Sequence, residues 1–332
     1  MVKHIIDTRQ FKDRKFLEGL FERSDEMRKL RSESGVTDKH RNKVVGGFFY
    51  QPSTRTRLSF QTAAQRIGAN TVFTENARDF SSAVKGETLE HSLKATEEFV
   101  DAIVLRHEKE GAALRAAKAV RVPVINAGDG TNQHPTQALL DLYTLRDIYK
   151  RMDRLKVAFV GDVKHGRTVR SLAYLLAQLE NNELTFVAPE ELDLPASMRT
   201  YFRERGIEFR ETDSVDAIIN DVDALYVTRL QFEYEKEDVR ARLLQKYRGC
   251  RVTKVQAEKM KDGAIIMHPL PINTDKSDGY PEIDSDVDDH SRARYFRQSN
   301  NGLYVRMALL DVLLTGDTDP LYNLIGELAE AA

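Results

Sequence analysis

Two kinds of hydrophobic run succeed each other along this chain. The first has helical spacing: Phe16, Leu17, Leu20 and Phe21, extended by Met27 and Leu30, predict an amphipathic helix over 15–31. The second is short and continuous, as at 43–50, and predicts a buried strand. A helix then runs to about residue 67, with Phe60, Ala63, Ala64 and Ile67 on one stripe and Gly68 as its stop. Further strands are predicted at 71–74, 102–105 and 122–126, with helices at about 88–99, 111–119 and from Pro135 through residue 149. Residues 78–87 read as a polar loop.

A charged stretch, 150–154, separates this half from a second alternation and is read as a hinge. Strands are predicted at 155–160, 184–187, 208–210, 224–227 and 264–267. Helices are predicted from an opening at 163–168 through about 179, and at about 196–205, 215–220, 236–247 and 254–261. Residues 272–292, rich in Asp, Ser, Gly and Pro, read as a loop. The tail, 293–314, is a heavily apolar helix that must pack on the first domain or on a neighbouring subunit. Strands alternating with helices imply parallel sheets covered by helices. The expected fold is therefore α/β with two domains, 1–150 plus about 290–332 and 151–289, each a mainly parallel sheet flanked by helices. The C-terminal helix is expected to pack back on the first domain.

Composition narrows the function classes. The 332 residues are 41% apolar, enough for two cores, and their 31% charged residues nearly cancel to a net charge of -2. That balance gives no signal for nucleic acid or membrane binding. The single cysteine, Cys250, precludes an internal disulfide and fits a reducing cytoplasm. The opening residues turn polar too early for a signal peptide, and no apolar run approaches a membrane span.

The chemistry concentrates where strands end. Ser53-Thr54-Arg55-Thr56-Arg57 lies between a strand and a helix, crowding hydroxyls and guanidinium groups at a helix N-terminus. Such a terminus attracts anions, and Arg offers a donor fork that matches phosphate oxygens. The competing reading is ordinary capping by Ser53 or Thr54 with solvated arginines. Arg106 and His134 follow two other strands of the same half, and ligands of parallel sheets bind beyond the carboxyl ends of strands. In the second half Arg167 and Arg229 stand just past strand ends. Gly161 and Gly166 do not make G-x-G-x-x-G, which leaves a nicotinamide-dependent dehydrogenase unsupported.

Four segments together carry a resemblance. Ser53-Thr54-Arg55-Thr56-Arg57, His134-Pro135-Thr136-Gln137, Gly166-Arg167-Thr168 with Arg229-Leu230-Gln231, and His268-Pro269-Leu270-Pro271 follow the order and spacing of aspartate carbamoyltransferase catalytic chains. The likeness runs from His4-Ile5-Ile6 to Tyr304-Val305-Arg306. The first two motifs mark the wider carbamoyltransferase family. The R-x-Q and H-P-L-P segments point to the aspartate branch, since ornithine enzymes usually carry H-C-L-P at the latter place.

The resemblance implies attack by the amino group of L-aspartate on carbamoyl phosphate, in pyrimidine biosynthesis. It places Ser53, Thr54, Arg55 and Thr56 on the phosphate, and Arg106 between phosphate and carbamoyl oxygen. Thr56 and His134 would donate to that oxygen, while Gln137 and the backbone carbonyls of Leu270 and Pro271 would hold the carbamoyl NH2. Arg167, Arg229 and Gln231 would take the aspartate carboxylates. Ser81 and Lys85 would reach the active site of an adjacent subunit, Lys85 there joining the aspartate-binding residues, implying a homotrimer with shared sites. Some family members also join regulatory chains. No metal, flavin or nucleotide cofactor is implied.

Three positions depart from the family pattern. Gln51 stands where Glu is common, Ile272 follows His268-Pro269-Leu270-Pro271 where Arg is usual, and Tyr234 lies where an Arg is frequent. In the family these positions serve domain closure, so the departures point to altered closure, weaker aspartate binding or another amino acceptor such as ornithine. A non-catalytic anion-binding homologue is the reading from a different class.

Overall fold

The computed structural model describes residues 2–80, 82–231, 240, 242–243, 246–273 and 281–327. They form two compact units, Met1–Tyr143 with Asn300–Ala332, and Thr144–Ser299.

In the first unit a 3-10 turn, Thr8–Gln10, leads into α1 (Arg14–Glu33), whose N-cap Asp13 accepts from the Lys15 N–H and whose apolar stripe is buried. There follow β1 (Val44–Phe49), α2 (Thr54–Arg66), β2 (Asn70–Thr74), α3 (Ala77–Phe80), α4 (Leu89–Thr96), β3 (Ala102–His107), α5 (Ala112–Ala119), β4 (Val124–Asp129) and α6 (Pro135–Tyr149). The sheet order is β2-β1-β3-β4, every pair parallel. Phe49 is in register with Arg106, and His107 with Asp129, so β1, β3 and β4 end side by side.

The second unit holds β5 (Lys156–Val160), α7 (Arg167–Leu176), β6 (Glu183–Val187), α8 (Ala196–Glu204), β7 (Phe209–Thr212), β8 (Ala224–Val227), α9 (Lys254–Lys259) and β9 (Ile265–Met267). Its sheet is also parallel, in the order β7-β6-β5-β8-β9. Aromatic rings fill its core: Phe159 stacks on Phe186 at 5.3 Å, and Phe186 on Phe202 at 5.9 Å. The long α10 (Tyr295–Thr315) and short α11 (Pro320–Leu324) complete the chain. From Asn300 onward the chain belongs to the first unit, where Arg23 of α1 donates to Asp311 at 2.6 Å and to Asp319 at 2.9 Å.

Some expected elements change shape. The polar loop at 78–87 holds most of α3, where Asp79 closes local hydrogen bonds with Asn76, and a 3-10 turn, Ser82–Lys85. The helix expected at 215–220 is only a 3-10 turn, Val215–Ala217. Val215, Ile219 and Val222 are buried at helix-like spacing, but the backbone closes i+3 turns instead, Ile218 N–H to the Val215 carbonyl at 3.1 Å and Asp221 N–H to the Ile218 carbonyl at 3.0 Å, while the Asp221 carboxylate is held by Lys156. The fourth strand starts after Pro123, which has no N–H to offer the ladder, and runs on to Asp129. Much of the helix expected at 236–247 lies outside the described residues. No helix among those described is long and apolar enough to cross a membrane.

Candidate active site

In the first unit three strand ends present the expected anion ligands. Ser53 occupies the N-cap of α2, yet its side chain makes no capping hydrogen bond. The first-turn N–H groups of α2 therefore are not taken up by that hydroxyl, which disfavours the capping reading. Thr54 and Arg55 are exposed, and Thr56 is buried beneath them. Arg57 is committed elsewhere, in an ion pair with Glu75 at 3.0 Å.

Arg106 lies at the end of β3 beside this turn. Its backbone carbonyl accepts from the Tyr50 N–H at 2.8 Å, and its guanidinium donates to the Ala127 carbonyl at 2.9 Å. These bonds join the ends of β1, β3 and β4 through one residue.

Beyond β4, Asp129 organises the turn that carries His134. Its buried carboxylate accepts from Asn126 Nδ2, the Gly111 N–H, Asn132 Nδ2 and the Gln133 N–H, at 2.9 to 3.2 Å. Burial raises its pKa above the ordinary carboxylate value despite these donors. His134, 4% exposed, follows this turn, and its carbonyl accepts from the Gln137 N–H as α6 begins. One turn into α6, Gln137 Nε2 donates to Asp141 at 2.9 Å. Ser53, Thr54, Arg55, Thr56, Arg106, His134 and Gln137 thus stand at or just beyond adjacent strand ends.

The second unit repeats the arrangement. Arg167 is the first residue of α7, after β5; Arg229 and Gln231 follow β8; Leu270 and Pro271 follow β9. Strands β5, β8 and β9 are neighbours, so these residues share one edge. A cation at a helix N-terminus opposes the helix dipole, which favours a bound anion as its partner. Asp162, fully buried, ties two of the turns: it accepts from the His165 N–H at 2.9 Å and the Gln231 N–H at 3.2 Å.

His268 performs the equivalent service after β9. Its N–H donates to Gln298 Oε1 at 2.9 Å, and its Nδ1 accepts from the Leu270 N–H at 2.8 Å. With Nδ1 accepting, the proton sits on Nε2, which donates to Glu282 at 3.0 Å. Glu282 also accepts from the Asn273 N–H at 3.0 Å. The turn presents Leu270 and Pro271 across a cis peptide.

One expected ligand is not joined to these clusters. Lys85 ends the Ser82–Lys85 turn, is exposed, and bonds to none of the strand-end ligands among the described residues. Ser81 and Tyr234 lie outside the described residues. Asp129, Asp162 and Glu282 belong to none of the motifs that mark the ligands in the sequence. Asp162 stands beside Gly161 at a strand end, a position that could have signalled it; Glu282 sits in a segment read as loop, 14 residues from the ring it holds. No group of three or more His, Cys, Asp or Glu among the described residues is arranged to hold a metal.

Comparison with known proteins decides the family. The family description "Aspartate/ornithine carbamoyltransferase, carbamoyl-P binding domain" matches residues 3–147, and its "Asp/Orn binding domain" matches residues 153–313. This chain belongs to the aspartate/ornithine carbamoyltransferase family. Among carbamoyltransferases, the chloroplastic aspartate carbamoyltransferase 1 of Pisum sativum is 45% identical over 94% of this chain and 78% of its own. The solved catalytic subunit of M. jannaschii aspartate transcarbamoylase is 40% identical, with a TM-score of 0.83 over 95% of this chain and 98% of its own. The Trypanosoma cruzi aspartate transcarbamoylase, solved with carbamoyl phosphate and aspartate, is 30% identical with a TM-score of 0.83, covering 93% and 94%. The parallel sheets described above are the fold of these carbamoyltransferases.

Proposed function

We propose that this chain is an aspartate carbamoyltransferase. It transfers the carbamoyl group of carbamoyl phosphate to the amino group of L-aspartate, giving N-carbamoyl-L-aspartate and phosphate. The observation that carries the reading is the meeting of the Ser53 turn, Arg106 and the His134 turn at three adjacent strand ends, within the stretch that matches the carbamoyl-P binding domain. The curated relatives favour aspartate over ornithine as acceptor.

The reaction needs no nucleophile from the protein. The aspartate amine attacks the carbamoyl carbon, the C=O becomes a tetrahedral oxyanion, and the C–O bond to phosphate then breaks. The departing phosphate takes the proton released by the amine. What the protein must supply is orientation of two anions and stabilisation of the oxyanion. Ser53, Thr54, Arg55 and Thr56 bind the phosphate, and Arg106 bridges it to the carbamoyl oxygen. Thr56 and His134 donate to that oxygen. Gln137 and the carbonyls of Leu270 and Pro271 hold the NH2. Arg167, Arg229 and Gln231 hold the aspartate carboxylates, an arrangement suited to bidentate guanidinium contacts. Ser81 and Lys85 act in the site of an adjacent subunit of a homotrimer. The exposure of Lys85 supports that reading, since it leaves the side chain accessible to another chain. The enzyme serves pyrimidine synthesis in the cytoplasm, as its chemistry and lone buried cysteine support.

Gln51, Tyr234 and Ile272 replace charged residues of the family pattern, so aspartate affinity is expected to differ while chemistry is retained. Steady-state assays with carbamoyl phosphate and aspartate, beside ornithine and other amino acids, test this, with mass in solution testing the trimer. Turnover with aspartate is expected; no turnover with any acceptor overturns the reading.

A further inference from the structure

Gln137 carries its amide between two environments, and what lies behind it decides which atom faces the substrate. Asp141 stands four residues along α6, on the same helix face, and is fully buried. A carboxylate only accepts hydrogen bonds, so the group that Gln137 turns toward it must be its NH2. The bond is present, Nε2 to Oδ1 at 2.9 Å. The opposite atom, Oε1, is then the one available to a ligand. A carbamoyl group carries N–H donors; an acetyl group of nearly the same shape carries none.

A buried carboxylate is costly unless a cation answers it. Arg306 on α10 brings a positive charge into its electrostatic reach. It is 4% exposed, and the charge of Asp141 acts on it. Burial lowers its pKa to about 10 against the pull of Asp141, which still leaves it charged near neutrality. Its position is fixed from three sides. Nη1 donates to Ser59 Oγ at 2.6 Å, and the guanidinium lies over the Phe60 ring at 5.0 Å. Gly302, one turn earlier, admits it: a Cβ there would stand 2.7 Å from Arg306 Nη1 and 3.0 Å from Leu140 Cδ2, beside Asp141 on α6.

We propose that the buried Asp141, with the Arg306 charge nearby, is a positioning residue that fixes the direction of the Gln137 amide and so selects a carbamoyl over an acetyl group on the phosphate. This rests on the reading of Gln137 as a ligand of the carbamoyl NH2. Asp141 holds Nε2, Arg306 keeps Asp141 an acceptor, and Oε1 receives the substrate N–H. Neither residue touches substrate. Both act through Gln137.

The test uses the intact wild-type protein and Asp141→Asn. Asn can present its own NH2 to Gln137, which turns the amide over and points N–H at N–H. The KM for carbamoyl phosphate is expected to rise about tenfold or more in Asp141→Asn. The inhibition constant of acetyl phosphate, which has no N–H to lose, should stay within about twofold. Equal weakening of both ligands marks a merely structural residue and overturns the proposal, as does an unchanged KM. Arg306→Lys, which keeps the cation, is expected to preserve the preference, and its loss there counts against the role of the Arg306 charge. If Asp141→Asn does not fold, neutron diffraction of the wild-type protein decides: deuterons on the Gln137 atom facing Asp141 support the proposal, and an oxygen there overturns it. A wild-type enzyme that makes no carbamoyl aspartate overturns the functional reading itself. An active wild type with equal losses in Asp141→Asn overturns only the orientation.

Discussion

The backbone N–H of Leu270 donates to Nδ1 of His268 at 2.8 Å, and that bond sets the tautomer on which the turn after β9 depends. The histidine of this motif is thereby a scaffold. Its Nε2–H and the Asn273 N–H converge on the buried Glu282. Glu282→Ala removes the acceptor of both donors, and a buried donor left unsatisfied costs about 1–3 kcal/mol. The melting temperature is expected to fall and the KM for carbamoyl phosphate to rise as the Leu270 and Pro271 carbonyls lose their support. Glu282→Gln, which keeps an acceptor oxygen, should be milder on both counts. Equal effects of the two substitutions would show that packing, not acceptance, is what Glu282 supplies.

Arg55→Ala and Arg106→Ala are expected to abolish carbamoyl transfer while leaving the fold intact. Arg55 is exposed, so its loss costs the folded state little. Arg106 also donates to the Ala127 carbonyl, and its removal is expected to cost about 1–3 kcal/mol of stability. Circular dichroism and turnover measured on the same preparations separate the two effects. Near-normal turnover in either variant sinks the assignment of that arginine.

Asp311 gives the first unit an acid-sensitive component. Burial alone would raise its pKa, but bonds from His40, Lys39 and Arg23 outweigh burial and hold it at about 2, below the ordinary value of 3.8. A depressed carboxylate pKa stabilises the folded state above the unfolded value and loses that contribution as pH falls through the folded one. The stabilisation is therefore present above about pH 4 and disappears toward pH 2, amounting to about 2 kcal/mol. Urea unfolding across this range should show the loss in wild type and a flatter profile in Asp311→Asn. Parallel profiles would place the acid sensitivity elsewhere.

Gly161 separates the ends of β5 and β8. Its φ is +114°, and a Cβ there would stand 2.3 Å from the Thr228 carbonyl oxygen. Gly161→Ala is expected to cost roughly 3 kcal/mol, through backbone strain and the clash, and to raise the KM for aspartate by displacing Arg229 and Gln231. Gly206, at φ +65° with nothing within 4 Å of where a Cβ would stand, provides the comparison. Its alanine variant should lose about 1 kcal/mol and keep its kinetics. Similar destabilisation in the two variants would remove the clash from the argument.

Much of this architecture is legible in the sequence because it rests on local rules. The stripe of Phe60, Ala63 and Ala64 gives α2 its buried face, and β8 occupies the expected residues, Ala224–Val227. Parallel pairing follows from the alternation of such elements. The candidate ligands are visible for a related reason: hydroxyl and guanidinium groups gather after strand ends, in the motifs that carry the family resemblance. The carboxylates that hold the ligands are less visible. Asp141 in a helix, or Glu282 in a polar stretch, looks like any solvated acid until its burial and partner are known.

The sequence by itself determined most of the order of strands and helices, because periodicity encodes it, and offered the Ser53 turn as an anion cradle; the nature of the substrates came from the motifs that carry the family resemblance. Only the tertiary structure decided which strand ends are neighbours, that the Ser53 side chain is not a cap, and that Arg57 is paired with Glu75. It also decided which way Gln137 and His268 present their polar atoms. The partners of Gln137 and His268 are local in sequence, Asp141 four residues on and Leu270 two residues on, and what the fold adds is their burial and the longer-range bonds around them, such as Nε2 of His268 to Glu282, 14 residues away. In a buried site each donor must find its acceptor there, and the sequence does not record which polar residues are buried.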